Sequence, residues 1–274
     1  MAKRLIAADI DGTLVTRDQR ILPCVREAAE RLAQAGHTLA LCTGRAIGEC
    51  WYVLEALPMV RYAVTQTGAM VQDLKTGALL FHCPLSVEDA RIIYGRLRRY
   101  DALINVFSDG VVYNAKSQIE NFSHFFPMEF FKLYERSHVF VDDLDAMMAG
   151  WQKPVEKLYA PFVREDECRQ AHAELSGLPY FVTGAGFNDL EAMNPQAGKG
   201  RALAALAAHL GFAREDVLAI GDSSNDAAML DYAGVGVAMG NAEASLKAIA
   251  DEIAPSNEDG GVAWVLNRVL GGSL

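Results

Sequence analysis

Two aspartates one residue apart, Asp9 and Asp11, follow the apolar run from Arg4 to Ala8 and lead into Gly12 and Thr13. Carboxylates at that spacing, just past a strand, can converge on one hard cation while Ile10 turns back to the core, and magnesium takes such oxygen ligands. Gly12 allows a tight turn there, and Thr13 can satisfy backbone or carboxylate groups. Alone, a D-x-D-G segment reads equally well as a turn that ends a strand. A second acidic segment, Gly221-Asp222-Ser223-Ser224-Asn225-Asp226, again follows an apolar run and opens a helix. Asp222 can give a further carboxylate to the same ion. Asn225 and Asp226, on the first helical turn, can contact phosphate, support the metal's ligands or cap the helix. Thr43-Gly44-Arg45 offers a hydroxyl and backbone N–H groups at a helix start, a favourable place for a phosphate. Lys199 brings a positive charge to the start of another helix, although read singly it is an ordinary surface lysine.

The elements that must hold these residues alternate at both ends of the chain. A strand over Arg4 to Ala8 is followed by an amphipathic helix over about Leu22 to Ala35, ended at Gly36, and a buried strand over Thr38 to Cys42. A helix over about Ala46 to Ala56, stopped by Pro58, then leads to a strand at Tyr62 to Thr65. The alternation resumes with helix Gly200 to Leu210, strand Val217 to Ile220, helix Asp226 to Ala233, strand Val235 to Ala238 and helix Ala242 to Ile249. This pattern predicts an α/β fold with one doubly wound sheet, in which ligands bind at the carboxyl ends of the strands.

The middle of the chain, roughly Pro84 to Phe187, has a different texture. It predicts a capped helix over Ser86 to Tyr100, a hairpin of Leu103 to Phe107 and Val111 to Asn114 around Ser108-Asp109-Gly110, and a helix over Arg164 to Leu175. The reading is therefore a core of residues 1–83 and 188–274 with an α+β insertion of residues 84–187. Within it, the aromatic cluster Phe122, Phe125, Phe126, Phe130, Phe131, Tyr134 and Phe140 reads first as core packing and second as a substrate-facing or subunit-facing patch. Asp142-Asp143-Leu144-Asp145 reads as a helix start, not a metal cluster. His124 and His138 read as packing or surface residues.

Composition narrows the function classes. The 274 residues carry 25 Lys+Arg against 35 Asp+Glu, a net charge of −10, which disfavours nucleic acid or an anionic membrane as the main partner. No apolar run reaches the length of a membrane span, and the N-terminal Met1-Ala2-Lys3-Arg4 stretch meets Asp9 too soon to contain a secretory signal. A cytoplasmic location is expected. Cys24, Cys42, Cys50, Cys83 and Cys168 are scattered, without a C-x-x-C pair, and read as reduced thiols. There is no G-x-S-x-G, H-E-x-x-H or Walker motif, and Gly234-Val235-Gly236 fails the dinucleotide pattern at Met239.

Taken together and in this order, the four chemical segments resemble the haloacid dehalogenase superfamily of phosphatases. Lys199-Gly200, Gly221-Asp222 with Asn225 to Leu230, Ala233-Gly234, Ala238 to Ala242 and Asp259-Gly260-Gly261-Val262 are similar to its Cof-type branch, which carries a large C2B-type α+β cap inserted in a Rossmann-like core. Gln66-Thr67-Gly68-Ala69 departs from the Asn-Gly-Ala usual in that branch, and Pro195 to Gly198 departs mildly.

The resemblance implies that Asp9 attacks phosphorus and forms an aspartyl-phosphate, while Asp11 acts as acid and base and its carbonyl binds Mg²⁺. It also implies that Thr43, with Gly44, binds the phosphoryl group, that Lys199 neutralises its charge and that Asp222 holds the metal. The expected activity is Mg²⁺-dependent hydrolysis of small phosphorylated metabolites, sugar phosphates favoured. A phosphomutase and a non-catalytic sensor of a phosphorylated metabolite are the alternatives. A monomer or homodimer is expected. The specific substrate and the cap residues that select it are not encoded legibly.

Overall fold

The computed structural model describes residues 3–184 and 188–274. Two compact units divide the chain: Met1–Gly44, Cys50–His82 and Gly198–Leu274 in the first, Arg45–Glu49 and Cys83–Ala197 in the second.

The first unit is built on an eight-stranded sheet of β1 (Leu5–Ala8), β2 (Thr38–Cys42), β3 (Tyr62–Thr65), β4 (Met70–Asp73), β5 (Ala78–His82), β12 (Val217–Gly221), β13 (Val235–Ala238) and β14 (Glu252–Ile253). Its order is β14-β13-β12-β1-β2-β3-β4-β5, with β1 central. The strands from β14 to β3 run parallel, and β4 and β5 close the edge as an antiparallel hairpin. Residues 5–8 are fully buried, as expected of a strand covered on both faces. Helix Pro23–Gln34 starts with proline in its first turn and buries Val25, Ala28, Ala29 and Leu32, the 3.6-residue stripe that seats it on the sheet. Helix Lys199–Leu210 ends at Gly211, whose φ of +75° is the left-handed conformation that closes a helix.

The second unit holds a six-stranded sheet of β6 (Asn105–Ser108), β7 (Val111–Ala115), β8 (His138–Val141), β9 (Lys157–Pro161), β10 (Phe181–Thr183) and β11 (Asp189–Met193), ordered β10-β11-β9-β6-β7-β8. All its pairings are antiparallel except β7 with β8. The hairpin between β6 and β7 turns through Asp109 and Gly110, both at positive φ, the requirement of a tight two-residue turn. Leu158, Ala160, Leu190 and Ala192 pack with helices Val87–Leu97, Leu144–Gly150 and Glu165–Ser176 into one core. The aromatic segment forms its own small core, with Phe122 and Tyr134 buried beside Leu103 and Ile119 and Phe125, Phe126, Phe130, Phe131 and Phe140 packed on them.

Several local features differ from the sequence reading. The sequence placed the return to the core at residue 188, but β11 pairs with β9 and β10, and the first unit resumes at Gly198. Residue 187, the other side of that expected boundary, lies outside the described residues, as do Met1 and Ala2. The single helix expected over Ala46 to Ala56 is instead a tight turn, Ile47–Cys50, followed by helix Trp51–Ala56. The turn is pinned within the second unit: Glu49 Oε1 is 3.1 Å from His138 Nε2, and His138 Nδ1 is 2.7 Å from Asn114 Oδ1. His138 is thus a buried, fully partnered core histidine. Asp143 caps helix Leu144–Gly150 through the N–H of Ala146, while Asp142 pairs with Lys116 and Asp145 with Arg98. The acidic run begins a helix, with its acids engaged in a cap and two ion pairs. Among the described residues no helix is long and apolar enough to cross a membrane, and none of the five cysteines is in a disulfide.

Candidate active site

Asp9, Asp11, Thr43, Gly44, Asp222, Asn225 and Asp226 follow the carboxyl ends of central strands of the first unit, and Lys199 opens a helix of the same unit. Asp9 directly follows β1, and its N–H donates to Ile220 O at 3.0 Å, which fixes it beside the end of β12. The chain then makes one wide turn in which Leu14 and Val15 N–H groups return to the carbonyls of Asp9 and Ile10. Ile10 is buried and Asp11 exposed, so the two acids flank an apolar anchor. Gly12 sits at φ +72°, and a Cβ there would lie 2.3 Å from Asp222 Oδ2, so two constraints demand glycine. Thr13 Oγ1 donates to Asp222 Oδ1 at 2.9 Å and holds that carboxylate against the turn.

Lys199 opens its helix as a buried residue, 1% exposed, which corrects its solitary reading as a surface lysine. Its Nζ is 2.8 Å from Asp9 Oδ1 and 2.5 Å from Asp226 Oδ1. Asp226 is fully buried, and its Oδ2 accepts the N–H groups of Asp222 and Ser223 at 2.9 and 3.1 Å. Both oxygens of Asp226 are therefore engaged in holding the lysine and the Asp222 loop. Of the roles open to Asp226, the geometry favours support of the neighbouring groups. Gly221 permits this approach, since a Cβ there would meet Asp226 Cβ at 2.5 Å.

Thr43 follows β2 and is 1% exposed. Its N–H donates to Val64 O at 2.9 Å, and its carbonyl accepts Thr67 N–H at 3.0 Å. Gly44 and Asn225 are half-buried, and Asn225 Oδ1 accepts the Ser223 hydroxyl at 2.9 Å. The turn Gln66–Gly68 after β3 leans on the lysine segment: a Cβ on Gly68, at φ +89°, would be 2.2 Å from Gly198 C and 2.6 Å from Lys199 N.

The electrostatics follow from the burial. One ligand atom each from Asp9, Asp222 and Asp226 falls within 4.8 Å of the others. Three acids against the one ammonium of Lys199 leave an excess of negative charge. Burial pushes the Asp9 carboxyl well above the usual carboxylate range, Lys199 opposes it, and the charges of Asp226, Asp222 and Asp11 add to it. Asp222 is pushed up to about 7 by burial and by Asp226, against the hydrogen bond from Thr13. Burial alone would lower the Lys199 ammonium, but Asp226 and Asp9 outweigh it and hold it well above its usual value. An arrangement in which carboxylates resist ionisation at one point is chemically suited to a divalent cation, which removes that penalty.

Two residues that hold the site were given no role from sequence. Asn241 Nδ2 donates to Gly12 O at 2.8 Å, and Asn257 Nδ2 donates to Val15 O at 2.8 Å, while Asn257 N–H donates to Asn241 Oδ1. The two asparagines brace the Asp9 turn from the loops after β13 and β14. Asn241 lies in the Ala238–Ala242 run that carries the family resemblance, but an asparagine serving backbone leaves no periodic signal.

Comparison with known proteins finds relatives along nearly the whole chain. A family model described as haloacid dehalogenase-like hydrolase matches residues 6–266. A Bacillus subtilis protein named as the putative phosphatase YxeH is 28% identical over 97% of this chain and 98% of its own. An HMP-PP phosphatase of Cronobacter sakazakii is 31% identical over 89% of this chain and 87% of its own. A solved haloacid dehalogenase-like hydrolase from B. subtilis superposes with a TM-score of 0.85 at 24% identity, covering 97% of this chain and 99% of that one.

Proposed function

The chain belongs to the haloacid dehalogenase-like hydrolase family and is a phosphatase of that family, and from this premise we propose that it hydrolyses small phosphorylated metabolites, sugar phosphates favoured, through a phosphoenzyme on Asp9. The observation that carries this reading is the shared ammonium of Lys199, bonded at once to Asp9 and to the fully buried Asp226. A carboxylate can approach a phosphate dianion only where cationic charge offsets their repulsion, and Lys199 is held charged at that point.

In this mechanism an Asp9 oxygen attacks phosphorus in line with the ester oxygen, and the P–O bond to the leaving group breaks as the aspartyl-phosphate forms. Asp11, the exposed acid of the pair, gives its proton to the departing oxygen. In the second half-reaction Asp11 takes a proton from water, which attacks phosphorus and releases inorganic phosphate and free Asp9. Thr43 hydrogen-bonds the phosphoryl oxygens, with the backbone at Gly44, and Asn225 stands at the helix start beside them. Lys199 offsets the charge that builds on those oxygens. Asp9, Asp222 and the Asp11 carbonyl would hold Mg²⁺, with Asp226 supporting them. Bound magnesium supplies charge neutralisation and orients the phosphoryl oxygens. The inserted unit is assigned the role of a cap that selects the leaving group.

The test is phosphate release from a panel of sugar phosphates, nucleotides, flavin and pyridoxal phosphates, with Mg²⁺ or excess EDTA, for wild type and Asp9→Asn. Metal-dependent release that is lost in the variant is the expected result. Isomer formation without phosphate release would make the chain a mutase, and saturable binding without any turnover would make it a sensor.

A further inference from the structure

The Gln66–Gly68 turn combines two features that a purely structural turn lacks. Gln66 and Thr67 are consecutive non-glycine residues at φ +53° and +55°, a left-handed backbone that costs on the order of 1 kcal/mol per residue and is least suited to β-branched threonine. The Gln66 side chain is also fully buried, yet neither its Nε2 nor its Oε1 has a hydrogen-bond partner among the described residues. Burying both ends of a carboxamide unpaired is costly, and such groups persist where they serve something other than stability.

The position of the turn says what that is. It follows β3, the immediate neighbour of β2, and the register pairs Cys42 with Val64, so Gln66 leaves its strand one residue beyond the position opposite Thr43. Thr67 N–H is bonded to Thr43 O, and Gly68 rests on Gly198 and Lys199. The unpaired amide thus stands on a turn fixed on one side by the Thr43 carbonyl and on the other by the backbone of Gly198 and Lys199.

We infer that Gln66 is a specificity-determining residue whose carboxamide hydrogen-bonds a hydroxyl of the substrate's leaving group. The inference rests on the phosphatase reading above. The chemistry of the amide selects the ligand group. A phosphoryl dianion offers acceptors only, so it satisfies Nε2 and sets Oε1 against negative oxygen. A hydroxyl both accepts and donates, so a hydroxylated leaving group, such as that of a sugar or polyol phosphate, pairs both amide atoms. Sites built to bond a hydroxyl discriminate strongly against analogues that lack it, because the site's own polar atoms are then left unpaired.

The experiment compares kcat/KM for a hydroxylated ester, the best sugar phosphate of the panel, with that for phenyl phosphate, in wild type, Gln66→Met and Gln66→Asn, alongside thermal melting. Methionine keeps the volume and removes both polar atoms. Asparagine tolerates the left-handed backbone and withdraws the amide by one methylene. In both variants the preference for the hydroxylated ester over phenyl phosphate should fall about tenfold or more, chiefly through KM. Gln66→Met should melt no lower than wild type, because an unpaired buried amide has been removed. An unchanged preference ratio in folded variants, or a proportional loss on both esters, would overturn the inference while leaving the phosphatase reading intact. A wild type that releases phosphate from neither ester would overturn that reading and the inference with it.

Discussion

Lys199 Nζ lies 2.8 Å from Asp9 Oδ1 in a setting where both side chains are buried, although 190 residues separate them. One ammonium therefore neutralises the proposed nucleophile and, through Asp226, tethers the loop that carries Asp222. Charge balance and placement at this site are one property.

Breaking that link should cost stability as well as rate. Lys199→Met leaves Asp9 and Asp226 buried without a counter-charge, and loss of one partner of a buried pair destabilises by about 3 kcal/mol. Urea denaturation should show the loss, and Lys199→Met with Asp226→Asn should recover part of it, because the uncompensated charge is then smaller. A double variant less stable than the sum of the single changes would contradict the pairing.

Asp9→Asn is nearly isosteric and relieves a carboxyl that burial already disfavours. Its melting temperature should stay close to that of wild type while phosphate release falls by about 10³-fold or more. Phosphate release near the wild-type rate from a clean preparation would remove Asp9 from the nucleophile's role.

The pH dependence of metal binding follows from Asp222. Its carboxyl holds a proton up to about pH 7 when folded, against 3.8 for its ordinary value, so between these limits the folded state binds more protons than the unfolded. The stability of the metal-free protein should accordingly fall as pH rises through that window. The thermal shift given by Mg²⁺ should grow across the same window, and calorimetry in buffers of different ionisation enthalpy should detect proton release on binding near pH 6. A shift independent of pH would separate the metal from Asp222.

Glu49 has the opposite sign. Burial raises its carboxyl, but the hydrogen bond and charge of His138, with Arg45 and the N–H of Ala46, outweigh that and hold it below its ordinary 4.5. The stabilisation it gives is complete above that value and lost as pH falls through the lowered one. Glu49→Gln should flatten the acid limb of the stability profile and cost about 1–3 kcal/mol at neutral pH, read from denaturant midpoints.

Gly12→Ala tests the turn itself. The added methyl meets Asp222 Oδ2 in a left-handed backbone, so destabilisation of about 1–2 kcal/mol is expected, with a weaker Mg²⁺ thermal shift than wild type.

The parallel half of the first sheet was legible because its strands are short, continuous apolar runs, and the strands Thr38–Cys42, Tyr62–Thr65 and Val235–Ala238 fall at the expected residues. The β4–β5 hairpin was not, since an edge strand with exposed Ala78 and Leu79 has no buried run to announce it. β11 was assigned to the wrong side of a boundary for a related reason. Asp189-Leu190-Glu191-Ala192-Met193 alternates as a half-solvated strand does, yet all five residues are buried, with Glu191 paired to Lys157. At the candidate site, residue types and order pointed to Asp9, Asp11, Thr43, Lys199 and Asp222. The burial of Lys199 and the double engagement of Asp226 depend on contacts between distant segments that no local pattern records.

The backbone contact of Gly68 with Gly198 separates two things that the linear chain joins. The chain leaves the first unit after His82 and re-enters it at Gly198, where its course is set by a residue upstream of the departure. The closure entropy of an excursion rises only logarithmically with its length, so the lysine's position is insensitive to how long the intervening stretch is. The intervening stretch can therefore change in length without moving the lysine, provided the two glycines stay together.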